Sequence, residues 1–283
     1  MRPLLWRLRQ KEIRLLARWL VGQDPRSRTA AAIAALRDAP VARGVFAAAL
    51  GYRRPYATIA TAAAAIAGHE GGGHLSADYA RETLRAAARP RPSDYAALYH
   101  LQPLAPQLHH VFDFGGFVGT LYYCYTNYLD FASDLVWTVY DLPETDAEGE
   151  RLAAERGERR LRFSTRLADA EGADMFVACG SIHYFEEPLP SLIGRLADKP
   201  HYVLINRSPI AEAAAPFAAV QDGGSYLLPC IVHPHAALLD GFGAIGYDLI
   251  DEWRAPEHSL MIPGYPERSV PAYSGMFLRR HDA

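Results

Sequence analysis

The stretch HHVFDFGGFVGTLYYCYTNYL, residues 109–129, decides how this chain is read. An apolar run ends in Asp113, Gly115 and Gly116 follow as a pair, and Gly119 stands just ahead of a helix-like run. Strand, glycine turn and helix in that order predict the opening of a βαβ unit. Glycine takes positive φ and lets a backbone come close to a ligand. The helix start adds unpaired N–H groups and a partial positive charge. In open α/β sheets ligands bind beyond the carboxyl ends of the strands, where this turn lies.

From there toward the C-terminus the chain alternates. LVWTVYDLP, RLRFST, ADMFVACGSI and HYVLINRSP read as strands, separated by the helical DAEGERLAAERGE and PLPSLIGRLADK. Strands alternating with short helices indicate a mostly parallel sheet covered on both faces. HAALLDGFGAIGYDLIDEWR reads as a helix then a strand, and AYSGMFLRR as a last strand, giving an antiparallel C-terminal edge. Toward the N-terminus the texture changes near residue 105 to Ala, Arg and Leu-rich helical segments with no β-rich run. SADYARETLRAAA, with Ser76 as its cap, is the clearest of them. The expected organisation is a helical region over 1–105, acting as a lid or a dimerisation surface, and an α/β domain over 106–283.

The turn admits several ligands. A phosphate loop needs G-x-x-x-x-G-K-[ST], and no lysine stands at that spacing. A dinucleotide fingerprint needs G-x-G-x-x-G, and Phe114 occupies its first glycine. An acid directly before the turn would also repel a pyrophosphate. S-adenosylmethionine carries no phosphate, and Asp113 could meet its ammonium group directly or through water. D-x-G-G-x-x-G is close to the D/E-x-G-x-G-x-G loop of class I methyltransferases, with Phe117 in place of the middle glycine. A plain structural turn with no ligand stays open as the alternative. Asp141, at the carboxyl end of WTVYD, adds an acid able to accept hydrogen bonds from both ribose hydroxyls. Its own alternative is a surface Asp before a proline turn.

The blocks VFDFGGFVGTLYY, WTVYDLP, LRFSTRLADA, ADMFVACGSIHYFEEP, YVLINRSP, SYLLPC and YSGMFLRR occur in that order. As an ordered set over residues 107–280 they resemble a family of bacterial S-adenosylmethionine-dependent methyltransferases, often associated with surface-polysaccharide or natural-product genes. The family carries blocks such as VLDFGGSLG, a W-x-V-V-E-Q-P strand, Y-L-E-D-P, I-D-R-T-P and S-Y-P-C-W. Here Asp141 replaces a Glu, Asn206 replaces the Asp of D-R-T-P, and Leu227-Leu228 interrupts S-Y-P. The resemblance implies a Rossmann-like class I methyltransferase sheet. It also implies S-adenosylmethionine as cofactor, with S-adenosylhomocysteine as product, and an O or N atom of a small molecule as acceptor. The expected cofactor-binding set is Asp113, Gly115, Gly116, Gly119, Asp141, Leu142, Ser164 and Ser181.

Acceptor chemistry is expected from the ends of the fourth and fifth strands. His183 is the first choice for a base, because imidazole titrates near neutral pH; a buried, backbone-satisfied His is the alternative. Arg207 offers a planar fork for an acidic acceptor, or an internal ion pair. Tyr226 and His233 are expected in a loop, GGSYLLPCIVHPHAAL, returning over the pocket. His233 and His235 form H-x-H and GHEGGGH, residues 68–74, is histidine-rich, but neither supplies a ligand set, so no metal is expected. Cys124, Cys179 and Cys230 form an odd, sparse set without C-x-x-C, which fits a reducing, cytoplasmic setting.

With 283 residues, half of them hydrophobic, the chain can bury a substantial core. A formal net charge of −3 gives no footprint for nucleic acid. The N-terminal MRPLLWRLRQKEIRLLARWL spaces apolar residues helically between charges, which predicts an amphipathic helix packed on the rest of the protein, with a helix lying on a membrane surface as the alternative, and no membrane insertion. A non-catalytic binding or assembly protein on the same scaffold is the second reading, and a dehydrogenase a third.

Overall fold

The computed structural model describes residues 19, 27–29, 32, 51–68, 77–222, 226–262 and 265–281. The expected N-terminal amphipathic helix, most of the Ala-rich helices before residue 50, Ser76 and the histidine-rich loop at 69–74 lie outside these residues. The chain divides into two units. One comprises Met1–Gly73, Pro209–His235 and His258–Ala272, the other His74–Ser208, Ala236–Glu257 and Tyr273–Ala283. The expected boundary at 105 falls inside the second unit, which includes helices α2 (Ala77–Ala86) and α3 (Asp94–Leu101).

That second unit is built on seven strands: β1 (His110–Phe114), β2 (Val136–Tyr140), β3 (Leu161–Ser164), β4 (Met175–Cys179), β5 (Tyr202–Ser208), β9 (Tyr247–Ala255) and β10 (Tyr273–Arg280). Their order is β3-β2-β1-β4-β5-β10-β9. The first five pair in parallel, while β10 runs antiparallel to both β5 and β9. This is the mostly parallel, Rossmann-like sheet expected from the sequence, with its antiparallel pairing at the C-terminal edge. The last strand, β10, inserts between β5 and β9, so the reversed strand lies second from the edge of the sheet. Helices α4 (Thr120–Tyr125), α5 (Pro143–Glu155) and α6 (Leu189–Gly194) carry the crossovers β1–β2, β2–β3 and β4–β5. Helix α7 (His235–Ala244) leads into β9.

Alternation along the strands sorts side chains between the two faces. Val111, Trp137, Val139, Met175, Val177 and Leu204 form one core with Leu121, Tyr122 and Tyr125 of α4 and Ala97, Leu98 and Leu101 of α3. Phe112, Phe114, Phe176 and Tyr140 point the other way and make an aromatic cluster, with ring centroids 5.1–5.8 Å apart. The chain leaves β1 on one side of the sheet and β4 on the other, so strand order switches between these two. Such a switch opens a crevice at the carboxyl ends.

The first unit contains a smaller sheet of β6 (Ile210–Ala211), β7 (Phe217–Asp222) and β8 (Leu227–Pro234), in the order β6-β8-β7. Two expectations are corrected there. The stretch read as a returning loop is largely strand β8, because LLPCIV is a mostly buried apolar run paired with β7, and Pro229 within it disguises it. The segment 51–56, where no strand was expected, runs antiparallel to β7, with Arg53 N–H donating to Val220 O at 2.8 Å and Tyr56 N–H to Ala218 O at 2.7 Å. Helix α1 (Ile59–Ala64) covers this sheet through Ala62, against Ala218, Val220 and Leu227.

Candidate active site

The turn after β1 is held open by the chain's own atoms. Asp113 is 1% exposed; its Oδ2 accepts from Trp137 Nε1 on β2 at 3.1 Å. A Cβ on Gly116 would stand 2.5 Å from the Asp113 carboxyl carbon, and one on Gly115 would stand 2.4 Å from Ser181 Cβ. Gly115 and Gly119 also have φ of 70° and 79°. The glycines are therefore required by Asp113, Ser181 and the turn itself, independently of any ligand. Burial, assisted by Asp141 and opposed by the Trp137 hydrogen bond, pushes the Asp113 carboxyl up to about 7.

Phe117 takes φ 55°, the left-handed conformation a glycine would adopt without strain. Its ring packs with Ala80 and Leu84 of α2, Val118 and Leu152. Its N–H donates to Asp141 Oδ2 at 2.9 Å, and Leu142 N–H donates to Asp141 Oδ1 at 2.8 Å. Asp141 thus ties the end of β2 to the β1 turn. Each carboxylate oxygen keeps a lone pair for a further donor, and the residue is only partly buried. Next to it Leu142 is 60% exposed, an apolar side chain largely open to solvent. At the end of β3, Ser164 Oγ donates to Asp169 Oδ2 at 2.6 Å and accepts from Arg166 N–H at 3.0 Å. Ser181, beyond β4, is buried and donates to Phe114 O at 2.5 Å.

A second cluster lies at the ends of β4 and β5. Ile205 pairs with Met276 and Ser208 with Ser274, so Asn206 and Arg207 together face the single Gly275. This bulge places Arg207 at φ 51° and turns its side chain toward α3. There the guanidinium pairs with Asp94 through Nη1. Asp94 Oδ1 also accepts from Tyr125 Oη at 3.0 Å and Asn206 Nδ2 at 3.1 Å, while Oδ2 accepts from Arg91 N–H at 2.8 Å. Asn206 Oδ1 in turn accepts from Trp253 Nε1 and from Arg207 N–H, both at 3.0 Å. Asparagine donates and accepts in the same place. An aspartate there would set a second carboxylate against Asp94 and lose that donor. Asp94 was not expected from the sequence, although Ser93-Asp94 after a proline is a helix-start signal.

His183 is buried in a one-turn helix beyond β4, its ring 4.1 Å from that of Tyr184 and 6.3 Å from that of Tyr273. Tyr226 and His233 lie in the other unit, Tyr226 just before β8 and His233 buried within it. Burial pushes the thiols of Cys179 and Cys230 up to about 12 and that of Cys124 to about 11, which leaves them protonated at neutral pH. Among the described residues there is no group of three or more His, Cys, Asp or Glu able to hold a metal, and no helix long and apolar enough to cross a membrane.

No protein-family model matches the chain, and no curated protein matches it either. Solved structures do. An O-methyltransferase family protein from Burkholderia thailandensis is 16% identical at a TM-score of 0.43, over 71% of this chain and 59% of that one. Magnesium protoporphyrin IX methyltransferase from Synechocystis, solved with bound S-adenosylhomocysteine, is 15% identical at a TM-score of 0.47, over 74% of this chain and 90% of that one. The cyclase SpnF is 15% identical at a TM-score of 0.46, over 76% of this chain and 88% of that one. The chain thus spans about three fifths of the length of the Burkholderia protein. The fold itself rests on the strand order and register described above.

Proposed function

We propose that the seven-stranded unit binds S-adenosylmethionine beyond the carboxyl ends of β1 and β2, and that the chain transfers its methyl group to an O or N atom of a small molecule. One observation carries this reading. Asp141 closes the β1 turn through Phe117 N–H while keeping lone pairs for ribose hydroxyls, beside the largely exposed apolar Leu142. The residues fit such a ligand: an acid for the ribose, an apolar side chain for the face of a base, and a turn without phosphate-type lysine. Asp113 supports the turn from inside. When bound, the sulfonium supplies an activated methyl group for in-line displacement.

The chain's own task is then orientation and proton removal at the acceptor. His183 is the residue we assign to the acceptor's proton, and the helical segments before residue 105 to a lid or dimer surface, in a cytoplasmic enzyme. Arg207 is already paired with Asp94, so we assign this pair to shaping the acceptor end of the sheet. A binding protein without turnover is the second reading, favoured by glycines that the chain needs for its own packing.

Calorimetry with S-adenosylhomocysteine tests the binding claim. Wild-type protein should bind it, and Asp141→Ala should weaken binding by about 1–3 kcal/mol, the range for lost hydrogen bonds. A folded wild type that binds neither S-adenosylmethionine nor S-adenosylhomocysteine contradicts the proposal. Transfer of labelled methyl to any member of an acceptor panel separates the enzyme from the binding protein.

A further inference from the structure

Helix α5 carries an acid that its own fold leaves without a partner. Asp146 sits in the first turn of this helix, 8% exposed, and its Oδ1 is enclosed with no hydrogen-bond donor in reach. Thr145, Gly149, Leu152 and Ala153 are the other buried residues of the helix, and none of them is charged. The charged groups acting on Asp146 are Asp141 at the end of β2 and Glu150 on its own helix; both are acids, and no cation offsets them. Burial first, then Asp141, pushes the carboxyl up to about 7.

An acid early in a helix is ordinary, because it meets the positive end of the helix dipole. Glu144, exposed in the same turn, has that benefit while keeping its water. Enclosing Asp146 Oδ1 gives up water at that oxygen and gains no bond, which is unfavourable for a polar group and more so for a charged one. The carboxyl lies in the Coulomb field of Asp141, the residue assigned above to the ribose. A donor arriving with that ligand would satisfy it.

We propose that Asp146 is a second ligand-facing carboxylate, accepting a hydrogen bond from an N–H or O–H of the nucleoside part of the molecule held at Asp141. This rests on the reading of Asp141 given above. A donor pointed at the carboxylate favours its ionised form, so binding releases a proton near neutral pH. Asp113 also titrates near there, and any proton it releases stays in an Asp146 variant.

The test is calorimetry of S-adenosylhomocysteine with wild type, Asp146→Asn and Asp141→Ala at pH 7, in two buffers of different ionisation enthalpy. Unliganded stability of the same proteins is read at pH 8. Asp146→Asn should bind roughly tenfold more weakly, as one lost hydrogen bond to a charged group implies. It should also lose part of the buffer-dependent proton release and be at least as stable as wild type at pH 8, where it removes an unpaired buried charge. Affinity within twofold of wild type overturns the inference. So does weaker binding with unchanged proton release, or a loss of unliganded stability, since either marks Asp146 as structural. If wild type itself binds no S-adenosylhomocysteine, the reading of Asp141 fails, and this inference falls with it.

Discussion

Phe117 shows how a single residue meets two demands at once. Its backbone occupies the left-handed region, which costs a non-glycine residue about 1–2 kcal/mol, while its ring gains a pocket between Ala80, Leu84 and Leu152. Replacing it separates the two contributions. Phe117→Ala should lose the packing and keep the strain, whereas Phe117→Gly should lose the packing and relieve the strain. Denaturant midpoints should therefore rank wild type above the glycine variant, and the glycine variant above alanine by about 1 kcal/mol. Equal stabilities for the two variants would mean that the turn does not need positive φ here. The positions of Asp113-Phe-Gly-Gly at the turn after β1 and of Asp141 just beyond β2 were legible in the sequence because the strands before them are short and clearly bounded. Asp94 was not, because its helix DYAALYHL exposes Tyr95 and Tyr99 at 61% and 72% while burying Asp94 itself. Aromatics outside and an acid inside invert the pattern that marks an amphipathic helix.

At the scale of elements, α5 owes its position to a small residue. A Cβ on Gly149 would lie 2.2 Å from the Phe163 ring of β3, so the helix approaches the strand only where no side chain intervenes. Gly149→Ala should raise helix propensity yet destabilise the unit by about 1–3 kcal/mol through overpacking. A stabilised variant in thermal or denaturant unfolding would contradict this contact. Pro143 starts the helix earlier than its charged run suggests, since proline is preorganised for the first helical position. Most strands of the seven-stranded sheet announced themselves as short apolar runs between helices. Strand β8 did not, because Pro229 and Pro234 read as breaks, and segment 51–56 did not, because Arg53, Arg54 and Pro55 hide its pairing with β7. Such pairing depends on a partner distant in sequence, which local pattern does not reveal.

At the scale of the whole molecule, the chain returns to the larger sheet only after building the smaller one, and β10 enters between β5 and β9. No local pattern specifies this insertion, since β10 pairs with two strands that are distant or reversed in sequence order. Stability of the whole should carry the signature of its buried acids. Asp113 titrates at about 7 in the folded chain against 3.8 for an ordinary aspartate. Folding then favours its protonated form, so its contribution is complete below about pH 4 and is lost as pH rises through 7. Asp146 acts in the same direction. Unfolding free energies from pH 4 to pH 8 should fall more steeply for wild type than for Asp113→Asn, by an order of a few kcal/mol over the window. Parallel profiles would show that Asp113 is not held in its neutral form.

The central claim places a nucleoside at Asp141, and a crystal structure of the protein with S-adenosylhomocysteine tests it most directly. The account predicts both ribose hydroxyls roughly 3 Å from the Asp141 carboxylate, with Leu142 against the base and the β1 turn beside the ligand. A ligand bound elsewhere, or ribose hydroxyls turned away from Asp141, would contradict it.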